Sequence, residues 1–221
     1  MKIVYCTGAL YHLGGAEKVL INKANYFAAS INYEVWIITA DQKNKPLCFP
    51  LHEKITFVDA AISRFVPKII IPILTKRLLQ STIVKHYQGL IDDIQPDFII
   101  VNELGYDDVV IPMLRTSALK IREFHSSHEA VRLMIDSKKD WKTRLRTRYV
   151  NEQSYSQFNK FDCVVLLTDS DRKKAHYQTK IAVIPNTLLQ SQTDISPLQA
   201  LKAISVGRLD KLKNHIDQIE V

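Results

Sequence analysis

KIVYCTGALYHLGGAEKVL, residues 2–20, is the stretch on which the fold turns. Ile3 to Cys6 is a short apolar run without alternation, the pattern of a strand buried on both faces. Thr7-Gly8 ends it. From Ala16 to Ala29 the spacing changes and places Leu20, Ala24 and Phe27 on one face of a helix. Between strand and helix, Gly14 and Gly15 let the backbone come close to a ligand, with free amides at the helix start. The loop is not GxGxxG, which argues against a dinucleotide site. Glu17 falls in the first helical turn and would compete with an anion for the helix dipole. The loop is therefore expected to hold neutral hydroxyls, or to graze a phosphate rather than clamp one. Taken alone, it is also simply a tight turn.

The same alternation continues outward. Strands are expected at 34–39 (EVWIIT), 55–59 (ITFVD), 97–102 (DFIIVN), 119–124 (LKIREF), 162–167 (DCVVLL), 181–184 (IAVI) and 203–206 (AISV). Helical patterns occupy 73–93 and 140–160, and Asp169-Ser170 reads as a cap for a helix from Asp171 to Tyr177. This order gives an α/β fold, a Rossmann-like, mostly parallel sheet with helices on both faces. Ligands of such sheets bind beyond the carboxyl ends of the strands. Residues 187–199 (TLLQSQTDISPLQ) are polar and unperiodic and read as a linker. Residues 1–186 are then one domain, and 200–221, a strand and part of a helix, read as the truncated start of a second.

Bulk properties bound the class. The 221 residues are 46% hydrophobic, enough for a sizeable core without disulfides. The three cysteines, Cys6, Cys48 and Cys163, form no CxxC pair, which argues against zinc or iron–sulfur. Cys6 and Cys163 are expected to be reduced core residues of a cytoplasmic protein. The N-terminus lacks a cleavage pattern, and the longest aliphatic run, Ile69 to Leu74, is broken by Pro72, far short of the roughly 20 residues that span a bilayer. The net charge of +7 favours anionic partners without choosing among them.

Two further segments can carry chemistry. In GRLDKLKN, residues 207–214, Arg208 leaves a strand end and Lys213 stands near a helix start. A loop can bring both cations to one diphosphate, which matters most as a leaving group gains charge. In REFHSSHE, residues 122–129, His125 sits at the expected ligand edge, where it can bond a hydroxyl or move a proton. A metal there is not expected, because neighbouring residues of an extended segment point apart. A solvated basic loop and a structural histidine are the plainer readings of each segment alone.

Taken together, GGAEKVL (14–20), QPDFIIVN (95–102), EFHSSH (123–128), VVLLTDSDRKKAHY (164–177), VIPNT (183–187) and ISVGRLDKLKN (204–214) resemble the retaining glycosyltransferases of the GT-B fold, family 4. The resemblance covers nearly the whole chain and implies the N-terminal half of that fold, the acceptor side, with the start of the donor side. It implies transfer of a sugar from a nucleotide-sugar donor to a glycan or lipid-linked acceptor, as in bacterial polysaccharide assembly, with no cofactor and no metal. By resemblance, Gly14 and Gly15 lie against acceptor and donor phosphates, His125 acts near the reacting sugar, and Arg208 and Lys213 hold the diphosphate. The family's paired glutamates would lie beyond residue 221, so the chain alone is expected to be inactive. Asn214 and Thr187 stand where the family usually has glycine.

RFVPKIIIPILTKRLL (64–79) and KKDWKTRLRTR (138–148) mix cations with large apolar side chains and are expected to suit peripheral contact with an anionic membrane. No recognition motif accompanies the charge, so nucleic acid is not expected. The competing readings are a non-catalytic module that holds an acceptor or a membrane surface, and one chain of a split glycosyltransferase.

Overall fold

The computed structural model describes residues 1–64, 73–102, 106–127, 157–175 and 177–187, with Ser205 and Gly207. Seven strands form one sheet: β1 (Lys2–Thr7), β2 (Glu34–Thr39), β3 (Ile55–Asp59), β4 (Phe98–Val101), β5 (Leu119–Glu123), β6 (Cys163–Leu166) and β7 (Lys180–Val183). Their order is β3-β2-β1-β4-β5-β6-β7, and every pairing is parallel. The fold is Rossmann-like, and the described sheet is parallel throughout rather than mostly so. Of the strand expected at 203–206 only Ser205 is among the described residues, and most of the helix expected at 140–160 lies outside them.

The strands form because their residues can be covered on both sides. Val4, Cys6 and Ile99 point to one face and meet Ile83, Tyr87 and Ile91 of helix α2 (Ile73–Ile94). Ile3, Tyr5, Ile37 and Ile100 point to the other and meet Leu20, Ile21 and Ala24 of helix α1 (Gly15–Ala29). Burying each such aliphatic side chain contributes about 1.5–3 kcal/mol. Phe27, expected on the buried face of α1, only packs against its edge, and Ile21 and Ala28 complete the stripe.

Two short helices depart from expectation. Helix α3 (Tyr106–Val110) follows the β4 loop. Helix α4 runs from Asp169 to Lys174, not from Asp171 to Tyr177. Its cap is Thr168, whose Oγ1 accepts from the Asp171 backbone N–H at 3.1 Å. The strand β6 ends early enough for Thr168 to take that place, one residue ahead of the expected pair.

Cys6 is buried and Cys163 is half-buried on β6, so only the first is the core thiol that was expected. Burial, with Asp107 nearby, pushes the Cys6 thiol well up.

The topology positions the site. The chain steps from β1 outward to β3, then returns through α2 to place β4 on the other side of β1. A crevice opens where neighbouring connections diverge in this way, outside the carboxyl ends of β1 and β4. The β1 loop (8–14), Asn102 after β4 and His125 after β5 all lie at this edge.

Candidate functional site

The β1 loop is anchored at its base. Leu10 is fully buried, its N–H donates to Gln42 Oε1 at 2.9 Å, and its carbonyl accepts from the Cys48 N–H at 2.8 Å. The tip is different: Leu13 is largely exposed. Gly14 is the N-cap of α1, in extended conformation. A Cβ on Gly14 would collide with the Glu17 carboxylate, which folds back over the cap and is itself buried. Gly15 differs: a Cβ there would meet nothing within 4 Å. Packing within the chain therefore explains Gly14 and leaves Gly15 unexplained.

His125 stands at the centre of a bonded cluster. Its Nδ1 lies 3.1 Å from Asn186 Oδ1, and its Nε2 lies 3.0 Å from Asn102 Nδ2. An amide oxygen can only accept and an amide nitrogen only donate, so the neutral Nδ1–H tautomer satisfies both contacts. Asn102 arrives from the end of β4 and Asn186 from the segment after β7, so the ring ties three strand ends together. Glu123, two residues earlier, puts Oε2 3.6 Å from the same Nε2. Residues two apart on an extended segment share a face, so Glu123 and His125 meet while their neighbour Arg122 turns to Asp108. Among the described residues no group of three or more His, Cys, Asp or Glu side chains could hold a metal ion.

Lys23, from the middle of α1, clamps the other Glu123 oxygen, Nζ to Oε1 at 2.5 Å. Three buried oxygens of this neighbourhood have no hydrogen-bond partner: Tyr5 Oη, Asn102 Oδ1 and Glu123 Oε2. Burial, then the Glu123 charge, push the Tyr5 hydroxyl well up. Burial holds the His125 imidazole below its ordinary value; the Asn186 bond and the Glu123 charge oppose this, and Lys23 and Arg122 reinforce it.

Arg122, fully buried on β5, faces the other side of the sheet. Its Nε sits 2.5 Å from Asp108 of α3, its Nη1 donates to the Val101 carbonyl at 3.1 Å and to the Glu123 carbonyl, and its guanidinium lies 4.5 Å from the Phe124 ring centroid. It braces the ends of β4 and β5 beneath the site. A buried charge persists only when paired and bonded in this way.

Beside His125 a small cleft is lined by Lys23, Glu123, His125 and Asn186, with Val165 and Ile184. It mixes apolar walls with a few convergent polar groups, the usual make-up of a small-molecule site. The structure thus places His125 at this cleft with Lys23, Glu123 and Asn186, and Asn102 bonds its ring; the sequence did not single out any of these four as functional. Gly14 and Gly15 open the helix that supplies Lys23. Arg208 and Lys213 lie outside the described residues, as do the basic segment at 138–148, residues 65–72 of the other, and linker residues 188–199. No described helix is long and apolar enough to cross a membrane.

No protein-family profile matches the sequence, and no curated protein sequence matches it. Solved structures do match. A lipopolysaccharide outer core galactosyltransferase, WaaB in its apo form, is similar over 91% of this chain and 50% of its own, at 16% identity and a TM-score of 0.57. Sucrose-phosphate synthase from Thermosynechococcus elongatus is similar over 84% and 48%, at 13% identity and a TM-score of 0.55. UGT2 of Phytolacca americana, solved with UDP-2-fluoroglucose and pterostilbene, is similar over 88% and 55%, at 9% identity and a TM-score of 0.54. The chain spans about half the length of these structures, and what it shares with them is the glycosyltransferase-like, Rossmann-type fold.

Proposed function

We propose that this chain is the acceptor-side half of a retaining glycosyltransferase of the GT-B type, family 4, which moves a sugar from a nucleotide-sugar donor to a glycan or lipid-linked acceptor. One observation carries the reading. The cleft holding His125 lies at the carboxyl edge of a sheet whose fold is shared, over most of this chain, with three glycosyltransferase structures. His125 is the group nearest the chemistry, able to bond a sugar hydroxyl. Gly15, which no packing requires, leaves room for substrate beside the helix start. Arg208 and Lys213 would neutralise the donor diphosphate, so that no metal is needed. The leaving group gains charge as the sugar departs, and paired cations stabilise that state more than the ground state.

Half a site does half the work. Residues 1–221 are expected to bind acceptor-type oligosaccharides weakly and to turn over no nucleotide sugar. Saturation-transfer NMR with a panel of oligosaccharides, and a labelled-sugar transfer assay, measure the two. Gly15→Val, which fills the open space, should weaken acceptor binding about tenfold, or roughly 1.4 kcal/mol. Rapid turnover by this chain alone would overturn the division of labour. Absence of carbohydrate binding at millimolar concentrations would overturn the acceptor-side assignment.

A further inference from the structure

His125 sits among acceptors it does not use. In its neutral form it accepts from Asn102 at Nε2 and donates to Asn186 at Nδ1, and both contacts are complete. Yet Asn102 Oδ1 and Glu123 Oε2 remain buried without a hydrogen-bond partner. Native structures rarely leave buried polar atoms in that condition without a reason. Glu123 Oε2 is 3.6 Å from Nε2, and Asn102 Oδ1 belongs to the amide whose nitrogen is already 3.0 Å away.

We propose that Glu123 and Asn102 are positioning residues that give His125 a waiting partner in each protonation state, so that the ring takes up a proton at Nε2 without leaving its place. In the neutral state Nε2 accepts from the Asn102 amide N–H. When a proton arrives from solvent, Nε2–H becomes a donor and the Asn102 N–H can no longer face it. Glu123 Oε2 then accepts from Nε2–H, and a half-turn of the Asn102 amide offers Oδ1 as a second acceptor. Nδ1–H keeps its bond to Asn186 throughout. No bond to carbon changes, and the proton returns to solvent by the reverse route.

Lys23 completes the arrangement. By holding Oε1 it prevents the carboxylate from rotating away and keeps Oε2 aimed at the ring. The charged groups acting on His125 are Glu123 and Arg122 from β5 and Lys23 from α1, while Tyr5 of β1 adds an unpaired hydroxyl near Glu123. The two cations and burial oppose the imidazolium and the carboxylate favours it. The ring is therefore neutral and proton-accepting at neutral pH, with its charged form already provided for. This concerns the network itself and goes beyond the sugar-transfer reading.

The test is a pH titration of the whole 221-residue chain, ¹⁵N-labelled at its seven histidines. His125→Gln identifies the resonance, and no nucleotide or sugar is added. The ring should be the Nδ1–H tautomer at neutral pH and protonate at Nε2, its Nδ1–H signal persisting across the transition. Glu123→Gln should move the midpoint to lower pH; Lys23→Met should move it to higher pH by removing a cation, and by less than the charge alone would give, because the freed carboxylate is no longer held toward the ring. If Glu123→Gln fails to fold, Glu123→Asp keeps the charge at a longer distance and should move the midpoint downward by less. An Nε2–H tautomer at neutral pH, or a midpoint indifferent to both Glu123 and Lys23, would overturn the proposal. Neither result depends on whether the chain binds carbohydrate.

Discussion

Gly14 and Gly15 are neighbours with different reasons for being glycine. At Gly14 a methyl group displaces the Glu17 carboxylate from the cap, and Ala is a poor N-cap in any case. Gly14→Ala should lower stability by about 1 kcal/mol. Gly15→Ala, in the first helical position with open space around it, should leave stability unchanged or raise it by up to about 1 kcal/mol. Urea denaturation of the two variants checks the pair, and equal losses would mean that Gly15 also serves the fold. His125 supplies a second test at this scale. Its folded-state value is lowered, so the unfolded chain takes up a proton first as the pH falls. Its contribution to stability is therefore present above the ordinary value of about 6.5 and is lost as the pH drops through the folded value. Wild type should lose more stability than His125→Gln between neutral and mildly acidic pH. The sequence marked His125 and both glycines because each follows a strand end. It gave no sign of Lys23, which meets Glu123 from 100 residues away, since nothing local couples a lysine in mid-helix to a carboxylate on β5.

At the scale of elements, strands were the most legible. β2 and β3 begin and end where the apolar runs do, and each of the other strands lies within two residues of its run. Buried parallel strands write themselves as unbroken β-branched sequence. The short helices were less legible. α3 is five residues long, too short for a 3.6-residue repeat to show. In Thr168-Asp169-Ser170 every residue is a cap former, so the sequence cannot say which one caps α4. The hydrogen bond to the Asp171 N–H selects Thr168. Thr168→Ala should cost about 1 kcal/mol and Ser170→Ala close to nothing. Thermal melts of both variants decide this, and the reverse order would return the cap to Ser170. The Arg122–Asp108 pair was also hidden, because a cation inside a strand pattern reads as an exposed position until its partner is known.

For the whole molecule the decisive fact is strand order. β1 pairs with β2 on one side and β4 on the other, and its residues reach both core clusters. Deleting residues 1–7 should therefore abolish cooperative unfolding, because the loss exceeds the 5–15 kcal/mol that a typical domain has in total. A far-ultraviolet circular dichroism melt shows this directly, and a sharp transition in the truncated chain would contradict it. The same order bears on how the protein is made. β1 is made before either of its neighbours in the sheet, and the second of them, β4, ends only at Val101. While the intervening residues are synthesised, β1 is an open edge, with unpaired amides and carbonyls beside an apolar face. Such edges invite pairing with other chains. Slow translation before Val101 should therefore demand more chaperone attention than the same delay after it.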